Sequence, residues 1–497
     1  LDNNPAPEFL QHTEKGTVLI GGLCPVWRSY TQQDIMDIAW EEVDEWVGAR
    51  RIQPVSLNEY ISKFKGARRE RLVKACNKAI VDNHLPFGVT GFVKCDKYDL
   101  VAAETKAPRM IQFRGPATNA ALARVMEPAE HELLYGPGIG PSATPDCSKG
   151  MTQKRLAELW HTKRYAIPDS AALLGDYSKF DSHVHTHVLE LEHAVWRAVS
   201  GMEMKLLDNQ LINSGRTGHL RYTAVGTRMS GDRNTGGGNS VINILIFRVL
   251  KRVCEIDLEI LCDGDDSIVW CAREDMPKLI EAAGAIIPRV FGMRWTHETA
   301  EHMAAEEYCH RALSYDGDEP RLIADPIRTL RRAFWAVNEE GGKQLGRILV
   351  GNLISIYLMF PRCPVLSRVT WGLLERLSAI DDQGFVVADY HSRSYSSSQY
   401  KQEAFDALAD PHKVVSPSEG RLVLKLPREY LDVSAISRHD MAASFGISHA
   451  EQCLLERELL NGVVNPCLRI TPFKDNPMKK EPEVLVETND HTVPEYG

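Results

Sequence analysis

Two short apolar runs, Leu258–Leu261 and Ser267–Trp270, flank the segment Cys262-Asp-Gly-Asp-Asp266, and this segment constrains the fold more than any other. An Asp-Gly step between two strand-like runs is a strong hairpin signal, because glycine accepts the backbone of a tight turn. The hairpin sets Asp265 and Asp266 at the tip of two paired strands. A further apolar run, Ala171–Gly175, ends on Asp176, and Asp181 follows five residues later. Val184, Val188, Leu191 and Val195 then recur at helical spacing and predict a helix over 182–199. Neighbouring strands lie only about 5 Å apart, so carboxylates at strand ends and turns can converge. Clustered carboxylates repel unless a hard cation sits among them. Mg²⁺ suits such a site, since it takes oxygen ligands and keeps positions open for phosphate. Two such ions about 3.5–4 Å apart activate an attacking hydroxyl and stabilise a leaving oxygen. Asp-x4-Asp and Gly-Asp-Asp are each common as surface charge or plain turns. In this order, each after an apolar strand-like run, they carry more weight.

Between them runs Gly226-Thr-Arg-Met-Ser-Gly-Asp-Arg-Asn-Thr-Gly-Gly-Gly-Asn239, which leads into an apolar helix over 240–253. Three consecutive glycines argue against a helix interior and for a pliable loop at a helix start. Ser230, Thr235 and Asn239 supply neutral hydrogen-bonding groups suited to a sugar hydroxyl.

The rest of the chain sets the frame. With 58 Lys+Arg and 67 Asp+Glu the net charge is −9, and 43% hydrophobic against 25% charged residues is ordinary globular composition. Disorder, collagen and coiled coil are excluded for the whole. Residues 50–120 nevertheless hold fourteen Lys/Arg and six Asp/Glu, a local excess of eight. An acidic protein with one basic region matches a polyanion channel beside an acidic metal site, and equally a solvated helical surface. Within that region 58–82 reads as one basic amphipathic helix, 88–94 as a strand, and 136–150 as a loop. The run 277–287 is helical. From 329 to 446 the pattern is mostly helical, broken by the polar and aromatic loop 389–400 with its three tyrosines. Ile348–Phe360 is too short to span a membrane and reads as a core helix. The eleven cysteines show no CxxC pairs and read as reduced thiols. His183, His185 and His187 read as helix-surface or packing residues, since spacing of two separates them on a helix. A first residue of Leu1 and no signal peptide lead to the expectation of a piece of a longer intracellular product.

Taken together, the segments resemble the motifs of viral RNA-dependent RNA polymerases, most nearly the tombusvirus-like branch of positive-strand RNA viruses. Asp176-Tyr-Ser-Lys-Phe-Asp181 resembles motif A, Met229-Ser-Gly-Asp-Arg-Asn-Thr235 with Asn239 motif B, and Gly264-Asp265-Asp266 motif C. Lys106-Ala-Pro-Arg-Met-Ile-Gln-Phe-Arg114 with Glu127-Pro128 resembles motif F, although Phe113 stands where that family often has Pro. Glu307-Tyr-Cys-His310, with Arg321 and Arg328, resembles motif E.

The resemblance implies an α+β right-hand polymerase, with an antiparallel palm sheet backed by helices. It divides the chain into an N-terminal extension and fingers (1–165, motif F at 106–128), palm (166–190), fingers insertion (191–222), palm (223–328), helical thumb (329–470) and a mobile tail (471–497). Asp176, Asp265 and Asp266 are then the catalytic ligands of two Mg²⁺ ions, with Mn²⁺ as a substitute. Asp181, Ser230, Thr235 and Asn239 bind the ribose, and Lys106, Arg109 and Arg114 the triphosphate. Arg294 is the candidate proton donor to pyrophosphate, with Lys278 as the alternative. The loop 389–400 or the tail is a candidate stacking platform for primer-independent initiation. Partners are the RNA template, nascent RNA, NTPs, and a viral auxiliary replication protein or upstream replicase segment. The implied location is the host cytoplasm, at membrane-bound replication complexes, with no transmembrane anchor in this chain. Two alternatives stay open. A reverse transcriptase usually carries an aromatic residue where Asp263 stands, and an inactive RNA-binding scaffold predicts loss of a metal ligand. No GxxxxGK[ST] loop occurs, which disfavours a helicase.

Overall fold

In the computed structural model, strands Leu258–Asp263 and Asp266–Ala272 pair antiparallel with Asp263 opposite Asp266, so Gly264 and Asp265 form the turn. Gly264 takes φ +70°, which a side chain would resist. The structure describes residues 29–94, 107–218, 220–334, 345–377, 379–380, 384–389, 414–418 and 421–462. They form a mixed α+β fold with several small sheets. The contacts divide it into two compact units.

The first unit takes the described residues of Leu1–Phe92, Met110–Lys149 and Thr162–Glu301. Its centre is a four-stranded antiparallel sheet in the order Leu258–Asp263, Asp266–Ala272, Ser170–Tyr177, Trp295–Ala300. Alternation along the strands sends Ala171, Leu173, Val269, Cys271, Leu258, Ile260 and Cys262 into one core. The Thr235–Cys254 helix belongs to that core and is buried nearly all round, from Val241 to Cys254. Helices Gln32–Val47, Pro116–Leu134, Thr186–Ser200 and Met276–Val290 close it. Arg248 pairs with Glu42 at 2.8 Å and Arg252 with Glu45 at 3.0 Å, tying the first helix to the central one.

Three local readings change. The helix expected over 182–199 is a single turn, Phe180–His183, followed by the Thr186–Ser200 helix. The carbonyls of Asp181 and Val184 accept from the amides of Arg228 and Thr227, at 2.8 and 2.7 Å, and so are lost to a helical ladder. His183 and His187 do pack locally, onto the carbonyls of Lys179 and Val290, and His185 stacks on His187. The basic helix expected over 58–82 is two helices, Leu57–Ser62 and Gly66–Val81, divided where Gly66 takes φ +56°. The glycine loop is the third: the helix starts at Thr235, so Gly236, Gly237 and Gly238 lie in its first turn. A Cβ there would run into Lys149 at Gly236, Glu130 at Gly237, and Glu192 with Arg228 at Gly238. Close approach of charged side chains, rather than pliability, accounts for the glycines, most strictly at Gly238, where the neighbours are a buried ion pair.

A second sheet in this unit has the order Met110–Arg114, Val89–Val93, Ile212–Thr217, Leu220–Val225.

The second unit takes the described residues of Val93–Arg109, Gly150–His161 and His302–Gly497. Strands Arg311–Asp316 and Glu319–Ala324 form a hairpin, and Leu353, Tyr357, Val369, Leu374, Met441 and Leu459 build a mainly helical core. Arg438 and Glu456 are paired at 2.9 Å inside it. Tyr308 is buried against Trp160, whose Nε1 donates to Glu306 at 3.0 Å. The mostly helical reading of 329–446 misses a three-stranded antiparallel sheet, Phe385–Asp389, Arg421–Lys425 and Val414–Ser418. Its short Val-rich runs suit strands, but each is too short to show a period. Past Asp389 the 389–400 loop lies outside the described residues, as does the tail 471–497. Each of the eight described cysteines is a free thiol. No helix among the described residues is long and apolar enough to cross a membrane.

Candidate active site

Four aspartates gather at one end of the central sheet. Asp176, next to last in its strand, is level with Thr296 on one side. On the other side Gly175 pairs with Ser267, which brings Asp266 next in register beside Asp176. Asp176 and Asp266 are exposed, and Asp265 is half-buried in the turn. Burial first, then the carboxylate of Asp266, pushes Asp265 up to about 6, and Asp181 and Asp176 add to the same effect. All four charges are therefore felt at one point.

Helix residues hold this point still. Ser240 Oγ accepts from the Gly264 amide at 2.9 Å, and Asn243 Nδ2 donates to the carbonyls of Gly264 and Asp265 at 3.2 Å each. Tyr177, buried directly after Asp176, donates its hydroxyl to Asn243 at 3.2 Å. Asn243 thus links the strand that carries Asp176 to the turn that carries Asp265. On the outer side the Asp146 carbonyl accepts from the Cys262 amide at 2.9 Å. Lys163, fully buried, holds Asp146 at 3.0 Å and Glu259 at 2.8 Å. Sequence reasoning missed Tyr177, Ser240, Asn243 and Lys163. Two polar residues in the otherwise apolar stretch 240–247 were the available signal for Ser240 and Asn243.

The expected ribose residues are brought together in part. Asn239 donates to Asp181 at 2.8 Å and accepts from Arg228 Nε at 3.1 Å, and Arg228 pairs with buried Glu192. Burial raises Asp181, with Asn239 and Arg228 opposing the rise. Burial would also raise Glu192, but Arg228, His193 and the Trp196 indole outweigh it and keep the carboxylate low. Thr235 turns its hydroxyl back onto the Met229 carbonyl at 2.9 Å, and Ser230 Oγ accepts from the Gln112 amide at 3.2 Å. Those two shape the loop in this structure.

Among the basic residues, Arg294 is exposed, and its carbonyl accepts from the Ser178 amide at 2.9 Å, two residues past Asp176. Arg114 departs from expectation. It is 1% exposed, paired with Asp232 and hydrogen-bonded to Asn213 and to the Asn209 carbonyl. A guanidinium enclosed in this way acts here as a structural clamp. Arg109 is exposed, and Lys106 lies outside the described residues.

Among the described residues no three His, Cys, Asp or Glu side chains enclose a metal ion by themselves. Mg²⁺ does not ask for that. It commonly uses one or two carboxylates and leaves its other positions to water and phosphate. The oxygen-only donors Asp176, Asp265 and Asp266 fit this chemistry, and a cation would relieve the repulsion that adds to burial in raising Asp265.

Comparison with known proteins agrees. Residues 29–464 match the family described as viral RNA dependent RNA polymerase. Three similar proteins are named RNA-directed RNA polymerase. One, from Pothos latent virus, is 26% identical over 75% of this chain and 47% of its own length. Another, from Groundnut rosette virus, is 31% identical over 58% and 35%. The third, from Carnation mottle virus, is 26% identical over 83% and 51%. The chain therefore spans about half, or less, of these curated relatives.

Proposed function

Because the chain belongs to the viral RNA-dependent RNA polymerase family, we propose that it carries the catalytic centre for template-directed RNA synthesis in a positive-strand RNA virus of the tombusvirus-like branch. The observation that carries this reading is the convergence of Asp176, Asp181, Asp265 and Asp266 at one sheet end, where burial first and then the neighbouring carboxylates raise Asp265. In this reading fingers and palm are built from residues 1–328, and the thumb from the mainly helical 329–470.

In the reaction a 3′-hydroxyl oxygen attacks the α-phosphorus of an NTP, and the bond to pyrophosphate breaks. Asp176, Asp265 and Asp266 would hold two Mg²⁺ ions, with Mn²⁺ as substitute. Bound there, the ions supply charge neutralisation for the phosphates and a lowered pKa for the attacking hydroxyl. The protein's own part is placement. Asn239 holds Asp181, and the pair faces the ribose, whose 2′-hydroxyl separates RNA from DNA precursors. Arg109 and Lys106 neutralise triphosphate charge. Arg294, anchored by its backbone beside the Asp176 strand, delivers the proton that pyrophosphate takes as it leaves. Partners are the RNA template and nascent RNA, together with a viral auxiliary replication protein or an upstream replicase segment at membrane-bound complexes of the host cytoplasm.

A primer-free synthesis assay on a defined RNA, with Mg²⁺ or Mn²⁺ and with NTPs or dNTPs, tests this. Ribonucleotide incorporation that Asp265→Ala abolishes is expected. Preference for dNTPs would favour a reverse transcriptase, and no incorporation by folded wild-type protein an inactive scaffold.

A further inference from the structure

The sheet that contains Ile212–Thr217 and Leu220–Val225 has two unlike faces. Along these strands Ser214, Arg216, Arg221 and Thr223 are exposed, while Asn213, Gly215 and Tyr222 turn the other way. That inner face is locked. Tyr222 lies over Gly215 and donates to Gln112, and Asn213 pairs with Arg114.

The outer face carries an unresolved repulsion. Arg216 and Arg221 are direct cross-strand partners, and Thr90 of the adjoining parallel strand is level with Arg216. Like charges placed directly opposite each other destabilise a strand pair. Among the described residues no carboxylate forms an ion pair with either guanidinium, and Arg216 Nε is spent on the Gly218 carbonyl at 3.3 Å. An anion between the two would turn the repulsion into attraction. Both arginines, with Thr90, Ser214 and Thr223, line an open concavity of about 610 Å³.

We propose that this face is a cradle for the phosphate backbone of a single RNA strand, with Arg216 and Arg221 on phosphates and the three hydroxyls on neighbouring oxygens. The proposal rests on the polymerase reading and extends it to residues outside every polymerase motif named above. The row crosses three strands, about 10 Å, which is longer than one phosphate group. Among the described residues its lining includes no Asp or Glu to hold Mg²⁺ on a nucleotide. Both features favour a strand over a nucleoside triphosphate.

The test compares the wild-type chain with the double variants Arg216→Gln/Arg221→Gln and Arg216→Lys/Arg221→Lys. Binding of a labelled single-stranded RNA is followed by anisotropy across a salt series, alongside the melting temperature and the KM for NTP. Each phosphate contact contributes roughly 0.7 to the salt slope, so the Gln pair should flatten it by about 1.4 and weaken binding roughly tenfold at about 0.1 M salt. The Lys pair should stay near wild type. The Gln pair should melt no lower than wild type, since a repulsion is gone, and its KM for NTP should not move. Unchanged RNA affinity and slope would overturn the proposal. So would a raised KM for NTP with RNA binding intact, which assigns the face to triphosphate, or a lost affinity that tracks a lower melting temperature. Arg-dependent RNA binding by wild-type protein that incorporates no nucleotide would sink the polymerase reading and leave the cradle standing.

Discussion

At Asn239 one amide joins Asp181 to Arg228, donating to the first while it accepts from the second. Asn239→Ala removes both bonds and frees the Asp181 carboxylate to move. A net hydrogen bond is worth about 1 kcal/mol, so discrimination between NTP and dNTP should fall by roughly fivefold to tenfold. Competing incorporation of the two precursors measures it, and an unchanged ratio would leave Asn239 a packing residue. Arg114 makes the opposite case. Burial first raises the carboxyl of its partner Asp232, and Arg114 opposes that rise. Arg114→Ala leaves Asp232 buried without its cation, so the protein should lose about 3–5 kcal/mol. Urea denaturation reads this directly. A raised KM for NTP at full stability would instead restore the triphosphate role that the sequence implied.

The start of the Thr235–Cys254 helix offers a test at the scale of one element. An alanine inside a helix ordinarily gains about 1 kcal/mol over glycine. At Gly236 the added methyl meets the flexible end of Lys149, which can swing away, so Gly236→Ala should be neutral or mildly stabilising. At Gly238 it meets Glu192 and Arg228, a buried ion pair that cannot yield, so Gly238→Ala should cost about 2–4 kcal/mol. Thermal melts of the two variants check the order, and equal melting points would refute it. The same helix shows what a sequence can and cannot disclose. The hairpin around Gly264 was legible because its information is local: two apolar runs and a turn residue. Asp176, Asp265 and Asp266 were legible because they border such runs, and Asp181 because it follows Asp176 by five residues. The glycines were misread because their reason lies in Glu130 and Glu192, residues far off in the chain. The enclosure of Arg114 was illegible likewise, since its basic neighbours are visible in sequence but Asp232, 118 residues away, is not. The strands at 385–425 were missed because five-residue runs carry too little period to compete with long helices on either side.

Over the whole molecule, the buried charges of the first unit make stability depend on pH. Glu192, Arg228, Asn234, Gln210 and Asp232 form one hydrogen-bonded network around the loop that precedes the central helix. His193 joins it through Gln210 at 3.2 Å. Burial lowers His193 to about 4, against Glu192, which pulls the other way, and with Arg228 reinforcing the fall. In the unfolded chain the same imidazole takes a proton near its ordinary 6.5. Between these values the unfolded state binds more protons, so this term removes stability as pH drops through 6.5 and levels off below about 4. It amounts to about 2 kcal/mol by pH 5. The raised carboxyls of Asp146, Asp181 and Asp232 act in the opposite sense, because acidification relieves the cost of burying their charge. A wild-type curve alone therefore mixes the two. His193→Gln isolates the first, since an amide keeps a donor for Gln210 and cannot titrate. Denaturation at pH 7 and pH 5 should show wild type losing about 2 kcal/mol more than the variant over that interval. Parallel losses would mean that His193 is as free to charge in the folded protein as out of it, and that the network around the loop is open to water.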